Sequence, residues 1–498
     1  MNLKDRAMNK KQIIRGFLLC GAIVLATFTS CKKDFLDINN NPNAPIDVSV
    51  TELLPSAELA IAHAVGNHLQ IYGGLYAQFW TQNPSSSQYK TFENYSPSSD
   101  DFDDLWAIIY SDGLKDLQTV INKGTTGGLS NYVAIGKILQ GYAFQALTDN
   151  FGDVPFSQAL QEENGILSPA YDSQQNIYSG IISLVKSGIA SIDETAGAIH
   201  PEDEDLLLHG DMSLWRKFGN TLLLRMYMRL SEVSPSVAQN GIADLEANSA
   251  EFLSFAEEVR IDYTATGGNT NPLYSSIVDL NFVQNLVASA TVINYMNTNS
   301  DPRIDVFYFP SSTGNQVGIA QGNYAIPAGT PVSLPGAATG GDGGDDASAL
   351  APVKLMTGYE SMFLQAEAVA RGWMTGDDQT LYEDAIDESF ESYGFDFTDA
   401  QTYFTQPAIA YPASGTVQQK VEAIITQKWA AMCGNQNDEA WIEWRRTGYP
   451  TFFTISVNTI LGPGRFPQRF FYPSIEVTRN GNFPGQHLID SKVWWDVN

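Results

Sequence analysis

The 498-residue chain has three cysteines and five histidines, and 28 Lys and Arg stand against 56 Asp and Glu, for a formal net charge of −28. Each shortage excludes something. An acidic surface repels phosphate backbones and anionic headgroups, which removes nucleic acid as a partner and leaves only a covalent lipid to hold the chain at a membrane. Cys20 and Cys31 fall inside and at the end of an N-terminal leader, so Cys433 has no partner for an intramolecular disulfide and reads as a small buried apolar residue. A chain of this length buries enough core to fold without one. His63, His68, His200, His209 and His487 are scattered, and the spacing of His63 and His68 does not set two metal ligands on one helical face. No HExxH, GxSxG or GxxxxGK[ST] occurs, so no enzyme is predicted. No apolar run reaches the roughly 20 residues that span a bilayer.

What is present begins at the N-terminus. Lys4, Arg6, Lys10, Lys11 and Arg15 precede the apolar stretch Gly16–Phe28, and Phe28-Thr-Ser-Cys31 closes it. Basic start, short apolar run and small residues make a secretion signal over 1–30. The cysteine directly after Thr-Ser resembles a bacterial lipobox, with Phe28 where Leu is usual, and this makes Cys31 the predicted lipidation site, carrying acyl chains such as palmitate. Two or more acyl chains hold a protein firmly at a membrane. Residues 31–50 then read as a tether, because Lys32–Asp47 is polar, rich in Asn and Pro, and without periodicity.

The rest, 51–498, reads as one mainly α domain. At 43% hydrophobic and 11% aromatic residues it is globular. Tyr132, Ile135, Leu139, Tyr142 and Ala146 repeat at helical spacing, and similar patterns run through Glu52–Trp80, Phe102–Ile121, Asp172–Ile192, Asp211–Leu230, Gly358–Trp373, Asp378–Tyr393 and Val417–Met432. Helix pairs of this size predict tetratricopeptide-like helical repeats over 51–235 and 353–450. Gly, Asn and Pro clusters over 236–352 and 451–498 predict a loop-rich, irregular part packed on them, and loops are where binding residues concentrate.

Several segments together resemble the SusD/RagB superfamily, in its SusD-like branch of outer-membrane nutrient-binding lipoproteins of Bacteroidetes type. They are Cys31–Asn43, Asp149–Phe156 (DNFGDVPF), Trp215–Arg225, Asp301-Pro302-Arg303, Phe363–Trp373, Gln427–Trp429 with Glu439–Pro450, and Pro467–Pro473 with Glu476 and Val493–Asp496. The resemblance implies a SusD-like fold and a lipoprotein on the outer face of the outer membrane. It also implies a glycan ligand, in some members a peptide, and a partner: a SusC-type TonB-dependent transporter on which the protein sits as a lid. Read residue by residue, these motifs are structural. Glu367 and Arg371 lie on adjacent turns of a helix stopped by Gly372, and Arg445, Arg446 and Arg469 are within reach of Glu367, Glu439, Glu443 or Glu476 as buried pairs that specify the fold.

For the ligand, Tyr72–Tyr95 is the first candidate. It breaks a helix and offers Trp80, Tyr89 and Tyr95 with Gln78, Asn83 and Gln88; an aromatic plane with an amide rim satisfies both the C–H face and the hydroxyls of a sugar. The second candidate is Thr266–Tyr274 facing Tyr308–Tyr324, with Asn271, Tyr274 and Phe309 completing a cleft. Gly340–Asp345 matches one GGxGxD unit of the calcium-binding nonapeptide type, a motif that works in tandem, so a single copy reads as a flexible loop; no cofactor is expected, with calcium elsewhere left open by the many carboxylates. Two other classes stay open from sequence: a glycoside hydrolase with paired carboxylates across a cleft, and a helical-repeat scaffold that binds only proteins.

Overall fold

A computed structural model describes residues 48–264 and 268–498. The leader, Cys31 and nearly all of the tether, together with Thr266 of the second candidate segment, lie outside the described residues. Val50–Asn498 forms one compact unit.

The helical framework matches the periodicity of the sequence. In chain order its helices are α1 (Val50–Ala64), α2 (Gln70–Tyr76), α3 (Lys115–Gly127), α4 (Ser130–Phe151), α5 (Gln174–Ser191), α6 (Met212–Arg229) and α7 (Pro235–Ala247). Within the irregular part lies α8 (Ala290–Thr298), and after it come α9 (Gly358–Ala370), α10 (Asp378–Glu391), α11 (Val417–Ala431) and α12 (Asn437–Thr447). Successive helices pack as pairs: α3 on α4, α4 on α5, α5 on α6, α6 on α7, and α9 on both α10 and α11. This is the helical-repeat architecture expected. Helix α4 is buried on nearly every face, whereas α3 buries only the side carrying Leu117, Val120 and Gly124. A Cβ on Gly141 of α4 would lie 2.2 Å from Val185 of α5, so that glycine sets how closely the pair approach. Caps fall where polar side chains precede the helices: Ser173, Asp211, Ser289, Thr357 and Thr416 each accept from a first-turn N–H.

Between the helices, the described residues also form short helical turns and six short strands in three antiparallel pairs. Strand β1 (Trp80–Gln82) pairs with β5 (Leu286–Ala288), aligning Trp80 with Ala288. Strands β2 (Val154–Pro155) and β3 (Tyr171–Asp172) pair after α4, and β4 (Glu258–Ile261) pairs with β6 (Val353–Thr357) across a bulge at Val259/Arg260. The first predicted helix therefore ends sooner than its sequence suggests. It passes through a π turn at Val65–Leu69, stops at Tyr76, and Gln78 turns the chain at φ 60° into β1.

Several of the scarce cations are buried. Arg446 on α12 is bidentate to Glu367 of α9 at 2.9 and 2.6 Å and also bonds Glu443 at 2.7 Å and Ser231 at 2.8 Å. Arg229 at the end of α6 meets Glu443, both oxygens of Glu439 at 2.6 Å, and Asp149 at 3.2 Å. Of the predicted pairings, Arg446 makes its own. Arg445 instead lies over the Trp441 ring at 3.8 Å and donates to the carbonyls of Asp149 and Gln468. Arg469 donates to the Phe151 carbonyl, and Glu476 accepts from Tyr171. The family motifs are thus interior pieces. Asp149 accepts from Tyr178 at 2.5 Å and Trp495 at 2.7 Å, and Arg303 is bidentate to Asp301 at 2.9 and 2.6 Å. Cys433 is buried and unpaired, 3.3 Å from the Tyr308 hydroxyl.

Candidate functional site

The predicted site residues separate by burial. Trp80 is 0% exposed; its indole packs on Gly74, where a Cβ would come within 2.5 Å of the ring. Tyr95 is buried, and its hydroxyl accepts from Ser456 N at 3.0 Å. As the chain is folded, neither ring offers a face to a ligand, which corrects the reading of both as stacking platforms: β1 pairing carries Trp80 inward. Asn83 is held by Asn285 and Gln284, donating to the Gln284 carbonyl at 2.9 Å. Tyr89 is half-buried and edge-on to Phe92, and burial pushes its phenol up to about 12. Gln88 is exposed beside it, and Lys90 lies 5.2 Å over the ring of half-buried Tyr324.

In the second cluster, Asn271 is buried as a helix cap, accepting from Leu273 N and Tyr274 N and donating to the Ala351 carbonyl. Tyr274 and Phe309 are half-buried, and no ring contact joins them among the described residues. The GGxGxD loop engages its carboxylates with its own chain: Asp342 accepts from Gly344 N and Gln284, and Asp345 caps the turn at Ser348. Among the described residues no group of three or more His, Cys, Asp or Glu side chains is placed to hold a metal ion.

Gln78 leads elsewhere. It is buried, yet its amide spans two elements. Nε2 donates to the Thr454 carbonyl at 2.6 Å, and Oε1 accepts from Thr454 N at 3.0 Å and from the Thr291 hydroxyl at 2.6 Å. Thr291 and Thr454 both line an open cleft of about 500 Å³, formed by α8, Ala320 and the loop after α12. The cleft is edged by an aromatic ridge that the sequence did not single out. Tyr295 of α8 stacks on Phe452 with centroids 5.2 Å apart and planes at 23°. Behind them Trp429 stands edge-on to both, at 5.3 Å from each, stacks on Phe79, and donates to the Ala77 carbonyl at 2.9 Å. The ridge is therefore backed by core, while Phe452 itself is 37% exposed.

Local sequence explains the ridge. Val292, Ile293 and Met296 give α8 its buried face, and Tyr295 with exposed Asn294 and Thr298 lies off it. An aromatic on the polar side of an amphipathic helix was the legible signal. Phe452 has no such signal, since Phe452 and Phe453 follow Pro450 as a pair and only the fold tells them apart; Phe453 turns in to stack on Trp444.

The first cleft is lined by Thr291, Asn294, Tyr295, Thr298, Asn299 and Thr454, with Ala290, Ala320 and Phe452, and carries no ionisable group except the phenol. That phenol is held neutral: burial raises its pKa to about 12, and its oxygen accepts from Gln427 Nε2 at 2.6 Å. Beneath the neighbouring chain, the fully buried Glu93 accepts from Gln82 N at 3.1 Å and Gln321 Nε2 at 3.0 Å, tying β1 to the segment that carries Ala320. Burial pushes its carboxyl up to about 8 in spite of those bonds. A hydrophobic plane beside neutral hydroxyls and amides can stack on and hydrogen-bond a polyhydroxylated, uncharged ligand.

A family model described as "Starch-binding associating with outer membrane", of SusD-like type, matches residues 42–473. No curated protein sequence matches the chain. Among solved structures, a chitin-binding protein is 25% identical, superimposes with a TM-score of 0.76, and is covered over 100% of its length by 90% of this chain. A chitin-binding SusD homologue from Flavobacterium johnsoniae is 23% identical with a TM-score of 0.75, covering 90% of this chain and 97% of its own. A SusD homologue from Bacteroides uniformis is 23% identical with a TM-score of 0.76, covering 90% and 99%. No helix among the described residues is long and apolar enough to cross a membrane. With the family pattern running through most of the sequence and the same helical-repeat fold in these structures, the chain belongs to the SusD-like family.

Proposed function

We propose that this protein binds an uncharged oligo- or polysaccharide at the Tyr295–Phe452 ridge, held on the outer face of the outer membrane by lipid on Cys31, and passes it to a SusC-type TonB-dependent transporter that it covers as a lid. The observation that carries the binding half is the cleft's lining: in a chain of net charge −28 it presents aromatic, amide and hydroxyl groups and no fixed charge. Family membership supports the transporter half, and the chitin-binding relatives make β-linked N-acetylated sugar polymers the first ligands to try. Tyr89, Gln88 and Tyr324, half-buried or exposed at the edge of the loop propped on β5, and Tyr274 and Phe309 farther along the irregular part, are the remaining positions for contact with a long chain.

The test is titration calorimetry of the mature protein against a panel of oligosaccharides and peptides, beside Phe452→Ala. Saturable binding of one sugar class, lost in the variant, is expected. Silence across the sugars, or a Phe452→Ala protein that binds as the parent does, overturns the reading. Co-purification of a TonB-dependent barrel with the protein from detergent-solubilised outer membranes is expected for the lid role, and its absence removes that role.

A further inference from the structure

The ridge has two sides. On the side away from the neutral cleft, Tyr295 and Phe452 also wall a second cleft of about 320 Å³, completed by α11 and by the segment around Ile409. The two clefts share the ridge but differ in charge. The second contains a single carboxylate, Glu422, on the exposed face of α11 with Gln419 and Thr426. Glu422 forms no ion pair or hydrogen bond among the described residues. The nearest cation in sequence, Lys420, is held by Asp378 at 2.7 Å. A carboxylate left unpaired in a cleft, next to an aromatic plane, is a hydrogen-bond acceptor without a donor.

We infer that a glycan chain lies across the ridge with one unit in each cleft, and that Glu422 selects a sugar bearing a free amino group for the second. A protonated amine would give the carboxylate the charge-assisted donor it lacks, while the pyranose face rests on Phe452. An N-acetylated unit offers only a neutral amide N–H at that place, and a uronate would meet like charge. The inference rests on the ridge being the glycan site; it keeps an uncharged unit in the first cleft and changes the ligand of the second to a 2-amino sugar, as in a partly deacetylated chitin.

The experiment compares glucosamine oligomers with N-acetylglucosamine oligomers of equal length by calorimetry, using the mature protein, Glu422→Gln and Phe452→Ala. A hydrogen bond to a charged group exceeds a neutral one enough to give the amine oligomer an advantage of about tenfold. Glu422→Gln should erase that advantage and leave the N-acetylated oligomer unchanged. Glu422 is exposed, so this variant keeps its fold. If the two oligomers bind equally and Glu422→Gln alters neither, while Phe452→Ala abolishes both, the selectivity is wrong and the ridge stands as the site. If Phe452→Ala changes nothing, or neither oligomer binds the parent, the ridge reading and the inference fall together.

Discussion

Two regions of this molecule treat charge in opposite ways. Between α6, α9 and α12, Arg229, Arg446, Glu367 and Glu443 are buried, and with the partly buried Glu439 they are bonded to one another. At the ridge between α8 and the Thr451–Thr454 segment, stacking and neutral hydrogen bonding replace ions, and the surface is open. An interior ion cluster gains little over an apolar core, because desolvation offsets most of the Coulomb attraction, but it is intolerant of losing one member. It therefore fixes how the helices meet. The ridge asks the reverse of its exposed ring: Phe452 is supported from behind by core and adds little to stability, so it is free to serve a ligand.

The comparison breaks most sharply at the interior. Arg446→Met leaves Glu367 and Glu443 facing each other without their shared cation, at a cost of about 3–5 kcal/mol. A large fall in the urea midpoint is expected. Trp80→Ala should act in the same way, opening a core cavity for about 3–5 kcal/mol. If either variant kept its urea midpoint and lost only ligand affinity, the division between fold-setting and ligand-setting residues would be wrong.

The same division shows what could be read from the sequence. Helical periodicity is a one-dimensional signal, and α4, α6, α9 and α11 sit within a few residues of their expected positions. Glu367, Arg371 and Gly372 also behave as their spacing predicts, with Arg371 bonded to Glu367 at 2.8 Å and Gly372 at φ 72°. The candidate site was less legible. Trp80 looked available because it follows a helix and precedes a polar loop, yet its partner strand lies about two hundred residues on, and nothing local announces that pairing. Gln78 was selected as a ligand contact and is instead the clamp between the walls of the cleft. Burial of this kind is decided by long-range contacts, which periodicity does not encode.

A pH series sharpens the contrast from inside. Glu439, Glu443 and Glu367 are held below the ordinary carboxylate range by their arginines, even though burial pushes the other way. Their contribution is present above the ordinary range and is lost as pH falls through their lowered values. Glu93 has the opposite sign. Its folded pKa is raised to about 8, so the native state keeps a proton that the unfolded chain releases, and stability declines as pH rises from the ordinary glutamate range to about 8. Glu93→Gln should remove that decline, and its amide can also donate to the unbonded Oε1 of Gln321. Thermal unfolding across this range should show the variant gaining on the parent with rising pH, by up to a few kcal/mol at the top. Parallel curves would mean Glu93 is ionised in the native state throughout.

At the ridge the effects are smaller, and binding and stability separate by residue. Phe452→Ala should lower affinity by at least about tenfold, enough to take a weak sugar complex out of calorimetric range, with little change in stability, since over a third of the ring is already in water. Tyr295→Phe is the finest test. It keeps the stacking plane and removes only the oxygen that accepts from Gln427, leaving that amide N–H without its partner at a cost of about 1–3 kcal/mol. Thermal unfolding should register this loss, while sugar affinity holds, because the hydroxyl is engaged by Gln427, which Tyr403 also bonds. Were affinity to fall with stability unchanged, the hydroxyl would be touching the ligand, and the ring's part at the ridge would be polar recognition and not stacking.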